Sequence, residues 1–111
     1  MAYRTAKRDG NHSEIVKKLR DAGATVLDLA AVGKGAPDLL VGFRGANYLI
    51  EIKDPLQPKN KTNLRENQVE FHQGWKGKPP AVAMTAREAL VIIGAITHKG
   101  RWAAGIDGGD V

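Results

Sequence analysis

Three charged residues stand at the ends of two apolar segments in the first half of the chain. Asp38 precedes the run Leu39–Phe43, and Glu51 and Lys53 alternate with isoleucines in a second run that starts at Tyr48. A buried charge without a partner is costly, so these three groups need compensation. Two carboxylates without any cysteine favour Mg²⁺ or Mn²⁺ over zinc. A lysine beside them would orient water and stabilise charge on a phosphate in transfer.

Strand geometry decides whether the three charges meet. Alternate side chains of a strand share a face, so Glu51 and Lys53 point the same way. A hairpin closed at Gly45–Ala46 predicts that paired residue numbers sum to about 91, which puts Asp38 near Lys53. A bulge of one or two residues would set it beside Glu51. The alternative interpretation is an ion pair in which Lys53 bridges the two carboxylates.

Apolar periodicity, glycines and prolines predict the elements around these residues. The resulting order is αβββαβα, an α/β sandwich in which helices flank a mixed central sheet. The predicted helices span about 12–22, 64–75 and 86–96, and the predicted strands span Ala24–Ala30, Asp38–Phe43, Tyr48–Lys53 and Ala81–Thr85. We expect one domain over 1–111, with a basic arm at 1–10 and a glycine-rich tail at 97–111 in which Trp102 docks on the core.

Capping signals mark the start of each predicted helix. In each case a residue with a side-chain oxygen is followed three positions later by glutamate. The three pairs are Asn11 with Glu14, Asn63 with Glu66, and Thr85 with Glu88.

Two helical residues are further site candidates. Gln68 shares a face with Leu64, Phe71 and Trp75, a stripe expected to pack on the sheet. It is either a glutamine at the edge of that stripe or a residue that reaches the charged cluster to position water or phosphate. Glu14 is a helix cap, a third acid near a metal, or both. His72 is more consistent with a structural role.

Composition favours a basic protein of a reducing compartment. The 111 residues carry 17 Lys and Arg against 12 Asp and Glu, a net charge of +5, and they include no cysteine. This balance suits a polyanion such as nucleic acid, although a solvated basic surface explains it equally. The start of the chain has no apolar stretch typical of a signal peptide, and no apolar run is long enough to span a bilayer, so we expect a cytoplasmic protein without a membrane partner.

These residues together resemble the PD-(D/E)XK nuclease superfamily. Pro37-Asp38 followed by Glu51-Ile52-Lys53 matches its signature as P-D-x12-E-x-K. The segments "GKGAPDLLV", "YLIEIKD" and "GKPPAVAMTAREAL", with Glu14 and Gln68, are similar to the VRR-NUC branch in its small stand-alone viral and bacterial form. The match covers residues 11–95 and departs at the lysine-rich loop 55–62.

The resemblance implies a restriction-endonuclease-like core and an Mg²⁺- or Mn²⁺-dependent DNA endonuclease. Asp38, Glu51 and the Ile52 backbone carbonyl would bind the metal, and Glu14 would act through its water shell. Lys53 would polarise the nucleophilic water, with Gln68 in support. The resemblance further implies branched DNA, such as a four-way junction, and a homodimer, in the cytoplasm or, for a viral protein, the host cytoplasm. Contacts to DNA phosphates are expected from basic residues, namely Arg4, Lys7, Arg8, Lys17, Lys18, Lys59 and Lys61.

Two other functions remain open from the sequence. A nucleic-acid-binding module on the same fold would lack catalysis, although a degenerate copy would be expected to have lost Asp38, Glu51 or Lys53. A basic protein–protein adaptor has only the short apolar segment Ala89–Ile96 in its favour.

Overall fold

The computed structural model describes residues 10–57 and 64–106. The expected phosphate contacts at Arg4, Lys7, Arg8, Lys59 and Lys61 therefore lie outside the described residues. The described elements follow the predicted order αβββαβα. They are α1 (His12–Asp21), β1 (Thr25–Asp28), β2 (Leu39–Phe43), β3 (Ala46–Ile52), α2 (Glu66–Gly74), β4 (Ala81–Ala83) and α3 (Ala86–Ile92).

The strands form one mixed sheet in the order β1-β2-β3-β4. The β1–β2 and β2–β3 pairs are antiparallel, and β3 pairs with β4 in parallel. The predicted mixed α/β fold is thus confirmed. None of the helices in the described part of the chain is long and apolar enough to cross a membrane.

The core lies between one face of the sheet and the helices α1 and α3. Ile15 and Leu19 of α1 and Leu90 of α3 are fully buried in the same apolar cluster as the sheet residues. The sheet contributes every second residue of its central strands, because side chains alternate between the two faces. These fully or almost fully buried sheet residues are Leu39, Val41, Ile50 and Ile52.

The β2–β3 hairpin closes one residue earlier than the sequence suggested. Phe43 pairs with Ala46, so Arg44 and Gly45 alone form the turn. Both have positive φ, 49° and 83°, as a type I′ turn requires. Paired residue numbers therefore sum to 89 rather than about 91, as in the pair Leu39–Ile50. This register places Asp38 opposite Glu51 without a bulge.

Two of the predicted capping interactions are wrong, although Asn11 is the N-cap residue of α1 as expected. The side chain of Asn11 does not cap α1; its Nδ2 donates to the carbonyls of Lys53, at 3.0 Å, and Met84, at 2.5 Å. Asn11 thereby ties the start of α1 to the ends of β3 and β4. The N-cap of α2 is Arg65, two residues beyond the expected Asn63.

The cap of α3 is as expected, but its end is not. The Thr85 hydroxyl accepts a hydrogen bond from the Glu88 N–H at 3.0 Å. The helix ends at Ile92 rather than Ile96, because Gly94 takes a left-handed φ of 79° that breaks the helical path. Trp102 follows as a half-buried residue packed on the core and bridged to Ile96, which confirms its predicted docking.

The expected apolar stripe on α2 does not pack on the sheet as predicted. Gln68, its polar member, is buried, whereas Phe71 is half-buried and Trp75 is 47% exposed. The two aromatic rings stack on each other with centroids 5.3 Å apart. The helix is therefore fixed to the sheet through a polar contact instead of an apolar one.

Candidate active site

A cavity of about 260 Å³ opens at the end of the sheet where β2 begins and β3 ends. Its walls come from the loop before β2, the end of β3 and the first turn of α2. Five residues singled out from the sequence line it together, namely Asp38, Glu51, Ile52, Lys53 and Gln68.

Asp38 is held by the neighbouring strand. Its Oδ2 accepts a hydrogen bond from the Ile52 N–H at 2.7 Å. This bond offsets part of the carboxylate charge and fixes the orientation of the side chain. Asp38 has no ion pair with Lys53 within the described residues, so the bridging ion pair considered above does not form.

Glu51, Lys53 and Gln68 form a buried network, each being at most 6% exposed, and its contacts to Glu51 all use the Oε2 oxygen, while Oε1 is buried without a hydrogen bond among the described residues. The Lys53 Nζ lies 3.7 Å from the Glu51 Oε2 and donates to the Gln68 Oε1 at 3.1 Å. The Gln68 Nε2 donates to the same Glu51 oxygen at 3.1 Å. Each buried charge is thereby compensated by an opposite charge and by a neutral amide.

Gln68 positions side chains instead of water. Its Oε1 accepts from Lys53 and also from the Arg65 N–H at 2.9 Å, which occupies both lone pairs. Rotating the amide by half a turn would point its N–H groups at two donors and away from the Glu51 acceptor. One orientation therefore satisfies all three contacts, and it locks Lys53 against Glu51.

His72 lies one helical turn beyond Gln68 and does not line the cavity. Burial, together with the positive charge of Lys53, lowers its pKa below the usual value of 6.5. Its Nε2 is buried and has no hydrogen-bond partner among the described residues. His72 is accordingly a neutral neighbour of the lysine.

The structure does not bring Glu14 to this cavity. Glu14 is exposed and lines a separate depression with Lys18 and Asp54. Lys17 pairs with Asp21 at 2.8 Å on the exposed side of α1. The two described lysines predicted to contact phosphates, Lys17 and Lys18, thus lie away from the walls of the cavity.

Sequence reasoning missed the three other residues with ionisable side chains that line the cavity, namely His12, Lys34 and Arg65. His12 is buried at the start of α1, with its Nε2 3.5 Å from the Asp28 Oδ2. Lys34 has a φ of 57° between Gly33 and Gly35, an unusual backbone state for a lysine. For Lys34 the sequence does contain a signal, because a lysine between two glycines is typical of a tight loop with unusual backbone angles.

The donor set fits a hard divalent cation. Asp38 and Glu51 offer carboxylate oxygens to one cavity, and Mg²⁺ is commonly held by one or two carboxylates with water and substrate phosphate completing its shell. Among residues 10–57 and 64–106, no group of three or more His, Asp or Glu side chains is placed to hold a metal ion. Binding would therefore depend on water and substrate oxygens as well as on the protein.

Comparisons with protein-family models, with curated proteins and with solved structures found no match to this chain. The functional argument accordingly rests on the cavity and on the residues around it.

Proposed function

We propose that this protein is a divalent-metal-dependent DNA endonuclease with a restriction-endonuclease-like core of the PD-(D/E)XK type. The observation that carries the proposal is the convergence of Asp38, Glu51 and Lys53 on one cavity. The hairpin register supports it, since it sets Asp38 opposite Glu51. Two acids that can hold a divalent cation, beside a lysine that can orient water, form a set able to support phosphodiester hydrolysis.

The residues that would hold Mg²⁺ or Mn²⁺ are Asp38, Glu51 and the carbonyl of Ile52. When bound, the metal supplies charge stabilisation for the phosphate oxygens and lowers the pKa of water. The Ile52 N–H keeps one Asp38 oxygen occupied and leaves the other available.

Lys53 is the residue proposed to orient the attacking water. Its ammonium has three hydrogens, of which one is given to Gln68. The remaining donors can bind water or a phosphate oxygen that gains charge in the transition state. Gln68 acts through the lysine and is a positioning residue.

The proposal also includes the substrate, which is DNA, and the assembly that binds it. A net charge of +5 favours DNA, and branched or junction DNA is the form that we propose. A chain of 111 residues offers little contact area for a junction, so a homodimer in the cytoplasm is proposed with it.

A second candidate is a nucleic-acid-binding module without catalysis. The network of Glu51, Lys53 and Gln68 favours this candidate, because Lys53 and the Oε2 oxygen of Glu51 are compensated there without any metal.

Cleavage of end-labelled DNA separates the two candidates. Four-way junction, flap, duplex and single-stranded substrates would be incubated with Mg²⁺, Mn²⁺ or EDTA, using wild type, Asp38→Ala and Lys53→Ala. We expect metal-dependent cutting that both substitutions abolish, while Lys99→Gln, which changes an exposed loop lysine, cuts normally. Binding without cutting, unchanged by either alanine, would overturn the nuclease proposal in favour of the module.

A further inference from the structure

The charged side chains around the cavity do not cancel. Three cations line it, namely Lys34, Lys53 and Arg65, against two carboxylates, Asp38 and Glu51, which leaves a net charge of +1 when lysine, arginine, aspartate and glutamate side chains are counted. An anion that approaches two carboxylates is normally repelled, yet here the surplus charge attracts it even without a metal ion.

The surplus resides on Lys34 and Arg65. Lys53 is buried and engaged with Glu51, whereas the side chains of Lys34 and Arg65 are exposed. Within the described parts of the chain neither of these two side chains has an ion pair or a hydrogen bond. They are therefore available to an anion from outside.

Backbone packing brings together the two cavity walls that carry these cations. Gly33, Lys34 and Gly35 have consecutive positive φ values of 70°, 57° and 78°. A Cβ at Gly35 would lie 2.2 Å from the carbonyl oxygen of Asn67, so this loop packs directly on the first turn of α2. Arg65 precedes that turn, and its backbone N–H is fixed by Gln68. Only glycine at position 35 allows this approach.

We infer that Lys34 and Arg65 form an anion clamp that binds the phosphodiester backbone of nucleic acid before and without a divalent cation. The inference rests on the proposed function, since it assigns the entry of the substrate to the same cavity. Replacing both cations with glutamine reverses the net charge of the cavity lining from +1 to −1. Electrostatic attraction then becomes repulsion.

The test is binding of a short fluorescent DNA duplex in EDTA, measured by anisotropy over a series of salt concentrations. We expect Lys34→Gln and Arg65→Gln each to weaken binding and to reduce the magnitude of the negative slope of log K against log salt by about one, and the double variant by about two. The matched control Lys99→Gln removes the same charge from an exposed loop outside the cavity and should leave the slope unchanged.

Two further variants separate charge from folding. Lys34→Arg should keep the wild-type salt dependence of binding. Lys34→Gly should reduce the salt dependence as Lys34→Gln does, with an unchanged or raised melting temperature, because glycine suits the positive φ. Slopes that stay at the wild-type value in the double variant would overturn the clamp even if metal-dependent cleavage is observed. A slope of smaller magnitude in the variants than in wild type, for a protein that cuts no DNA, would support the clamp while refuting the nuclease.

Discussion

The two faces of strand β3 are built from alternating residues and differ in almost every respect. Ile50 and Ile52 face α1 and α3 and are buried among apolar side chains. Glu51 and Lys53 face the other way, equally buried, and are joined by one glutamine of α2. The period of the side chains thus lets one strand present an apolar face to the core and a charged face to the proposed active site. Substitutions on the two faces should then have different consequences.

The largest expected effect is the loss of activity in Asp38→Asn. Asparagine still offers an oxygen to the Ile52 N–H, so the fold is kept, but the negative charge needed by a metal is gone. Under the proposed function we expect metal-dependent cleavage to fall by at least about 100-fold. Initial cleavage rates and thermal unfolding check this, and a variant that unfolds early would show that Asp38 is mainly structural.

Ile50→Ala tests the opposite face. Ile50 is fully buried, so its truncation should lower the free energy of unfolding by about 2–5 kcal/mol, measured by urea denaturation. Leu49→Ala is the matched control, since Leu49 is half-buried on the cavity face and should cost less than about 2 kcal/mol. Equal losses of unfolding free energy in the two variants would show that the two faces of the strand contribute equally to stability.

Gln68→Ala is expected to lower the stability of the fold through the charged face of the strand. It leaves Glu51 and Lys53 without the amide that joins them, which should cost about 1–3 kcal/mol of unfolding free energy. The exposed Gln73 of the same helix provides the control, and Gln73→Ala should stay within about 0.5 kcal/mol of wild type. If the two alanine variants are equally stable, the network contributes no stability.

The smallest expected effect is the pH dependence due to His72. Its pKa in the folded protein is lowered, so below about pH 6.5 the unfolded chain takes up a proton that the folded chain does not. Stability should therefore decrease as the pH falls below that value. Urea denaturation of His72→Gln should show a weaker decrease than wild type, with the exposed His98→Gln as control. An identical pH profile for His72→Gln would contradict this role.

The sequence predicts the element order well because apolar periodicity and glycine positions decide it. Predicting the approach of Asp38 to Glu51 is harder, since it depends on which two residues form the turn. The predicted turn at Gly45–Ala46 is one residue off, because Arg44 takes a positive φ that arginine rarely adopts. The capping role predicted for the Asn11 side chain fails for a different reason: its amide donates to the distant carbonyls of Lys53 and Met84 instead of capping its own helix.

The residues at the mouth of the cavity are the least predictable. A surface lysine or arginine has no periodicity, and its position depends on loop packing such as that of Gly35 on Asn67. The buried contact of Gln68 is equally hard to predict from the sequence. Its apolar neighbours on the helix suggested hydrophobic packing, whereas the buried contact is made by the amide.

The two-residue turn at Arg44–Gly45 has a consequence for which changes of length the chain tolerates. Surface turns usually accept insertions, and this one lies about 20 Å along the strand from Asp38. Adding one residue that shifts the β2–β3 register would turn Glu51 and Lys53 toward the apolar core and the isoleucines toward solvent. The length of this remote turn is therefore as strictly constrained as the identity of the acids themselves.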